Sequence, residues 1–340
     1  MKLSTLATAA AERMNIPDRL LRAGIAARVA DSARLLARSA GRDADFAAWM
    51  ASNPIALHTD AANTQHYELP PAFFAAVLGR HGKYSSCLYP TGAETLDEAE
   101  QAALEATCAM AALQDGQRIL ELGCGWGSLS LFMAAQYPHA RIVAVSNARP
   151  QRLHIQALAA TRGLTNIEVR TADMNDFAPE GRFDRILSVE MFEHMTNWRA
   201  LLTRMRGWLA PDGRVFVHVF SHADTAYRFD HEYGADWIAR YFFTGGIMPS
   251  HRLMHQFADI FDVVAERRWS GTHYQRTALH WLANFDRNRG LIDPLLRETY
   301  GTEAGLWRRR WRMFFLAVAG LFGHAEGEVW GVSQYLLRAR

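Results

Sequence analysis

The sequence predicts an α/β protein built on a doubly wound, mainly parallel sheet, and three observations carry that expectation. Strand-like apolar runs alternate with helix-period segments through the middle of the chain, the order that gives a parallel sheet covered on both faces. The first of these strands, residues 118–122, breaks into Gly123-Cys124-Gly125-Trp126-Gly127 and then a helical pattern. Glycines in such a turn permit positive φ and let a ligand come close to the backbone. The third observation concerns acids. A dinucleotide-binding unit needs one at the end of its second strand, but residues 141–145 run into Ser146-Asn147, and the acid comes after the third strand, residues 167–170, as Thr171-Ala172-Asp173-Met174.

Residues 1–62 are rich in Ala, Leu and Arg, with Leu20, Leu21, Ile25, Val29, Leu35 and Leu36 at helical spacing. We expect two or three amphipathic helices forming a cap, with Pro17 and Pro54 at boundaries. The main domain is expected over 63–340. It opens with two polar, aromatic clusters, 65–74 and 83–89, followed by an alanine-rich helix from 96 to about 113 that leads into the glycine turn. Residues 183–189 and 214–219 read as further strands, separated by a helix over 198–209 that Pro211 ends, with Asp212-Gly213 as the turn. Residues 261–264 and 329–337 supply the last two strands. Helical insertions over about 223–255 and 275–325 are expected to cover the site.

The chain has 340 residues, 49% hydrophobic and 21% charged, which suits a folded domain with an appendage and not a disordered chain. A net charge of +2, without a basic face interleaved with aromatics, argues against a nucleic-acid partner. Cys87, Cys108 and Cys124 are odd in number and lack a Cys-x-x-Cys spacing, so neither a disulfide framework nor a metal site is expected. No apolar run reaches the length of a membrane span. The start is read as helix rather than signal peptide, and a cytoplasmic location is expected.

An acid beside an apolar residue after the third strand can take the exocyclic amine of an adenine and cover one of its faces. With the glycine turn, this pattern resembles the class I S-adenosylmethionine (SAM) methyltransferases. His66-Tyr67-Glu68, Tyr84-Ser85, residues 121–127 and Glu190-Met191-Phe192-Glu193-His194-Met195 together resemble the cyclopropane-fatty-acid synthase family of these enzymes. Phe216-Val217-His218, the aromatic stretch 237–250 and Trp311-Arg312-Met313-Phe314-Phe315 are similar to its coclaurine N-methyltransferase-like branch. The resemblance implies a Rossmann-like sheet whose final pair of strands is antiparallel, SAM as cofactor, S-adenosylhomocysteine (SAH) as product, and no metal.

It also implies roles. Gly123 and Gly125 would lie under the adenosyl part, Asn147 and Gln151 by the ribose, Asp173 and Met174 at the adenine. Tyr84, Ser85 and Ser188 complete the cofactor set. Glu193 and His194 would orient an acceptor amine and take its proton, with Glu190 adding negative potential. If a helical turn begins at Glu190, all three share one face. Tyr67, His218, Tyr274, Trp311 and Phe314 are assigned to the acceptor. The basic, aromatic stretch 307–316 could otherwise be plain packing or a membrane-seeking helix.

The leading expectation is N-methylation of a small, aromatic or alkaloid-like amine. Methylation or cyclopropanation of unsaturated acyl chains is the alternative, and a non-catalytic SAM-binding protein is a third reading. The related lipid enzymes use bound bicarbonate as base, held by a Cys, a Glu, a His and a Tyr. Those positions fall on Ser86, Glu193, His218 and Tyr274, and the departure at Ser86 argues against bicarbonate here. The expected partner is a small-molecule amine or lipid acceptor, without stable membrane insertion, and a homodimer is compatible with the sequence.

Overall fold

The computed structural model describes residues 10–57, 69–229 and 237–340. Helices α1 (Asp18–Leu36) and α2 (Asp43–Ala51) come first, followed by the short α3 (Pro71–Val77) and by α4 (Leu96–Met110). Thr95 and Glu98 form a reciprocal capping box that fixes the start of α4, satisfying amides the first helical turn leaves open.

The sheet then alternates with helices: β1 (Arg118–Leu122), α5 (Ser128–Gln136), β2 (Arg141–Ser146), α6 (Arg149–Thr161), β3 (Ile167–Thr171), β4 (Phe183–Val189), α7 (Trp198–Trp208) and β5 (Leu209–His222). A small hairpin pairs β6 (Tyr227–Arg228) with β7 (Ile247–Met248), with α8 (Trp237–Tyr241) between them. The chain finishes with β8 (Phe261–Ser270), helices α9 (Gly271–Arg287), α10 (Arg289–Tyr300) and α11 (Ala304–Phe322), and β9 (Trp330–Ala339).

The seven strands of the main sheet run in the order β3-β2-β1-β4-β5-β9-β8. Strands β1 to β5 are parallel, and β9 lies antiparallel between β5 and β8. The order reverses between β1 and β4, which opens a crevice at their carboxyl ends, where doubly wound sheets bind ligands. The expected turn at Asp212-Gly213 is instead a kink inside β5. Asp212 sits at φ +60°, and the strand begins at Leu209, where it already pairs with Phe183.

One apolar cluster packs α9 and α11 against α3, α4 and the β8–β9 edge through Phe73, Trp281, Phe285, Trp311, Phe315 and Trp330. A second lies under β4 and β5 and takes in Met50 and Ile55 from the N-terminal segment. The amino-terminal part therefore closes over the sheet: Thr196 N–H donates to Ile55 O at 2.6 Å, and Asn175 makes two hydrogen bonds to the Ala56 backbone. Among the described residues, no helix is long and apolar enough to cross a membrane.

Candidate active site

Two adjoining cavities, of about 140 and 100 Å³, occupy the crevice and share Gly123, Gly125, Gln151, Glu190 and His194. The glycine turn forms the wall between them. Gly123 and Cys124 both donate to Val145 O at 2.9 Å, so the loop is latched to β2, and Gly123, Gly125 and Gly127 all have positive φ. A β-carbon on Gly125 would meet nothing within 4 Å, because it would stand in the cavity. On Gly123 it would lie 2.7 Å from Met191, so that glycine is required by packing as well as by the turn.

The smaller cavity is lined by Asn147, Gln151, Asp173, Met174 and, from the N-terminal segment, Ala56 and Leu57. Gln151 is buried with its Oε1 accepting from Ser146 Oγ at 2.6 Å, which turns its amide nitrogen to other partners. Asp173 Oδ1 accepts from Asn175 N, and the same Asn175 holds Ala56. Carboxamide, carboxylate and thioether thus face one space.

The larger cavity is lined by Lys83, Tyr84, Ser85, Thr107 and Ser128, by Phe220, Phe243, Tyr274 and Phe314, and by Glu190, Glu193 and His194. Glu190 is not on a helix. It has φ +48°, a strained region for a residue with a β-carbon, and only Phe192–His194 forms a 3-10 turn. The expected common face for Glu190, Glu193 and His194 is therefore absent, and the two acids are held by different groups.

Three donors converge on the Glu190 carboxylate. Ser86 N–H donates to Oε1 at 2.8 Å, His218 Nε2 lies 3.3 Å from the same oxygen, and Tyr274 O–H donates to Oε2 at 2.7 Å. Burial alone would raise this carboxyl's pKa, but His218, the Lys83 charge and the Ser86 amide outweigh it and hold Glu190 below the usual carboxylate range. Burial also lowers the pKa of His218, against the pull of Glu190. Gln334 Nε2 donates to His218 Nδ1 at 3.1 Å, which leaves Nε2 carrying the proton that Glu190 receives.

Glu193 is set up in the opposite sense. It is 1% exposed, its Oε1 accepts from Phe220 N–H at 3.2 Å, and its Oε2 has no hydrogen-bond partner among the described residues. Burial and then the neighbouring Glu190 charge push its pKa well up, so of the two acids Glu190 is the one held toward its ionised form. His194 stacks on Phe243 with ring centroids 4.3 Å apart and touches both cavities.

Tyr84, Ser85, Tyr274 and Phe314 stand on the wall of the larger cavity. Three residues assigned to ligands lie behind the walls. His218 is fully buried between Glu190 and Gln334, Ser188 is inside the sheet between β1 and β5, and Trp311 packs on Phe73 and Phe242. Their contacts support the site and do not face it. Tyr67 lies outside the described residues. Lys83, Phe220, Phe243 and Gln334 were not singled out as site residues, although Lys83 stands next to Tyr84-Ser85 and Phe243 lies in the aromatic stretch 237–250. All three cysteines are free and buried, and the described residues contain no cluster able to hold a metal.

Residues 57–330 match the family described as mycolic acid cyclopropane synthetase. An (S)-coclaurine N-methyltransferase of Thalictrum flavum subsp. glaucum is 37% identical over 291 residues, covering 84% of this chain and 81% of the relative. A namesake from Papaver somniferum is 34% identical over 278 residues, 81% of this chain and 79% of the relative. A coclaurine N-methyltransferase crystal structure, bound to N-methylheliamine and SAH, superposes with a TM-score of 0.93 at 32% identity, covering 97% of this chain and 98% of that one.

Proposed function

Because the chain belongs to the mycolic acid cyclopropane synthetase family and is a SAM-dependent methyltransferase, we propose that its acceptor is the nitrogen of a small amine carrying an aromatic ring. The observation that carries this reading is the Glu190 carboxylate: a buried anion, saturated with donors, at the edge of a cavity walled by Phe220, Phe243, Tyr274 and Phe314. A negative charge fixed beside aromatic faces suits a cationic nitrogen. The N-methylated ligand of the superposed relative points the same way.

When bound, SAM supplies an electrophilic methyl group on a sulfonium. The open volume over Gly125 and the Asn147, Gln151, Asp173 and Met174 lining fit its adenosine part. What remains for the chain is to bring a neutral nitrogen in line and to exclude water, and such positioning can account for most of the acceleration. An ammonium entering beside Glu193 favours the carboxylate form of that residue, so its binding releases a proton. Glu193 Oε2, the unpartnered atom, then accepts the N–H that must leave before the lone pair is exposed. His194, held flat on Phe243, fixes the mouth between the two cavities.

The acyl-chain alternative fits these contacts less well. Of the positions aligned with bicarbonate holders, Ser86, His218 and Tyr274 all address Glu190, and Ser86 Oγ is turned to Cys87 O. Their donors are already taken by a side chain. The test is proton NMR of the product formed from a panel of aromatic-ring amines and unsaturated phospholipids. An N-methyl singlet is expected, whereas upfield cyclopropane protons from a lipid as the sole productive acceptor would overturn the reading.

A further inference from the structure

The aromatic wall of the larger cavity depends on α8, a helix of five residues, too short to hold its shape without tertiary contacts. Its last turn continues through Phe242, whose N–H donates to Ile238 O at 2.8 Å, so Phe242 and the next residue, Phe243, are carried by it. Phe242 is fully buried and stacks on Phe314 with ring centroids 4.4 Å apart, and Phe243 stacks on His194. Phe314, Phe243 and His194 all line the cavity. What fixes α8 therefore fixes the wall.

A carboxylate outside the site supplies the fastening. Glu12, ahead of α1, accepts at Oε1 from Trp237 Nε1 at 2.8 Å and from Arg310 Nε at 2.9 Å, across 225 and 298 residues of sequence. It thereby joins the N-terminal segment, the first residue of α8 and helix α11. The side chains of Glu12 and Arg310 are only 12% and 10% exposed. Water and salt screen such a pair little, and removing one member strands the other charge away from solvent. The Arg310 guanidinium also lies over the Tyr241 ring, 3.9 Å from its centroid, and 4.9 Å from that of Trp307. Glu12 thus grips the start of α8 directly and its end through Arg310. Resting on the reading of the larger cavity as the acceptor's, we propose that Glu12 is a positioning residue for the methyl acceptor: through Trp237 and Arg310 it keeps Phe242 and Phe243 in the wall that receives it. With this contact broken, the wall is formed for only a fraction of the time, and the apparent affinity for the acceptor falls by that fraction. A saturating acceptor restores the wall, so kcat is spared. The smaller cavity is lined by other residues, so SAH binding is spared as well.

The test pairs hydrogen exchange with steady-state kinetics on the full chain. In Glu12→Ala, backbone exchange over 237–243 should rise several-fold in the ligand-free protein, while exchange over β1, β4 and α5 stays at the wild-type level. KM for an aromatic-ring amine should rise by about tenfold, with kcat and SAH affinity each within about twofold of wild type. Glu12→Gln keeps an oxygen for both donors and loses the charge, so its effect should be intermediate. Trp237→Phe removes the N–H and keeps the ring, and adding it to Glu12→Ala should raise KM little further, because both act through one contact. If Glu12→Ala does not fold, Glu12→Gln and Trp237→Phe carry the same test, with exchange and KM rising together. Unchanged exchange over 237–243, a rise spread over the whole sheet, a loss of kcat or SAH affinity as large as the change in KM, or multiplicative effects in the double variant would overturn the positioning role. If the wild type methylates no amine, the acceptor reading fails, and the same KM comparison with the lipid that is turned over decides the role of Glu12.

Discussion

The Tyr274 hydroxyl donates to Glu190 Oε2 at 2.7 Å across a sequence separation of 84 residues, and so ties helix α9 of the cover to the end of β4. The cover and the sheet are thereby joined at the carboxylate that its donors hold below the usual carboxylate range. Removing the hydroxyl leaves that carboxylate with Ser86 and His218 only. A carboxylate that loses a donor becomes easier to protonate, so the pKa of Glu190 should rise. In Tyr274→Phe the acid limb of kcat/KM should move to higher pH by about one unit. An acid limb at the wild-type position would show that Glu190 does not set it.

Glu193 and His194 should matter to the chemical step far more than to cofactor binding. Glu193→Gln keeps the shape of the buried side chain and its contact with Phe220 but cannot take a proton. With His194→Ala, it is expected to lower kcat by roughly 10²-fold while SAH affinity changes little. Single-turnover kinetics alongside calorimetry separates the two. Near-normal turnover in both variants would mean that positioning suffices.

The two glycines of the turn should fail in different ways. Gly125→Val places side-chain atoms in open cavity and should abolish SAH binding, with no clash added to the backbone strain that any side chain meets at φ +52°. Gly123→Ala drives a β-carbon against Met191 at φ +79°, so it should lower the melting temperature even without ligand. Thermal melts of the ligand-free variants distinguish a packing glycine from a ligand glycine. Equal melting temperatures would remove that distinction.

This difference marks the limit of what could be read from sequence. The strands, the glycine turn and the Asp173-Met174 pair are local patterns, and the sheet order follows from alternation and handedness. Glu190, Glu193 and His194 were also visible as a cluster. That Glu190 takes positive φ and has other partners than Glu193 was not, because periodicity carries no information about a carboxylate held by Ser86, His218 and Tyr274 from three other segments. The same holds for His218 and Trp311. The family resemblance assigned both to a ligand, but only the packing of Gln334 and Phe73 around them shows that they sit behind the wall.

Glu121 should make stability fall with rising pH. Its carboxyl is fully buried and its pKa is pushed from 4.5 to about 7 by desolvation, against the Ser130 hydrogen bond. Below pH 4.5 both folded and unfolded chains hold the proton, and its contribution is fully present. As pH rises the unfolded chain ionises first, so stability is lost progressively until the folded group titrates near 7. The loss is roughly 3 kcal/mol. Glu121→Gln cannot ionise, so urea unfolding of wild type and variant at pH 5 and 7.5, without cofactor, should show the wild type declining relative to the variant. Parallel curves would mean that Glu121 is solvated in the folded state.

The Glu190 carboxylate should make turnover indifferent to bicarbonate. Removing a proton from a methylated carbocation calls for a small base beside the reacting carbon, whereas here a tethered carboxylate already receives the Ser86, His218 and Tyr274 donors. In carbonate-depleted buffer at fixed pH, the wild type and Ser86→Cys should turn over an amine at the same rate with and without added bicarbonate. Glu190→Gly probes the same point from the other side. Glycine accepts the φ of +48° without strain, so this variant should fold at least as well as Glu190→Ala, yet it leaves three donors around a space the size of a carboxylate. Its turnover should drop sharply and recover in part when formate or bicarbonate is supplied, because a small planar anion can take the donors that the side chain has left. Bicarbonate stimulation of the wild type, with an unsaturated lipid as the only productive acceptor, would place acyl-chain chemistry first.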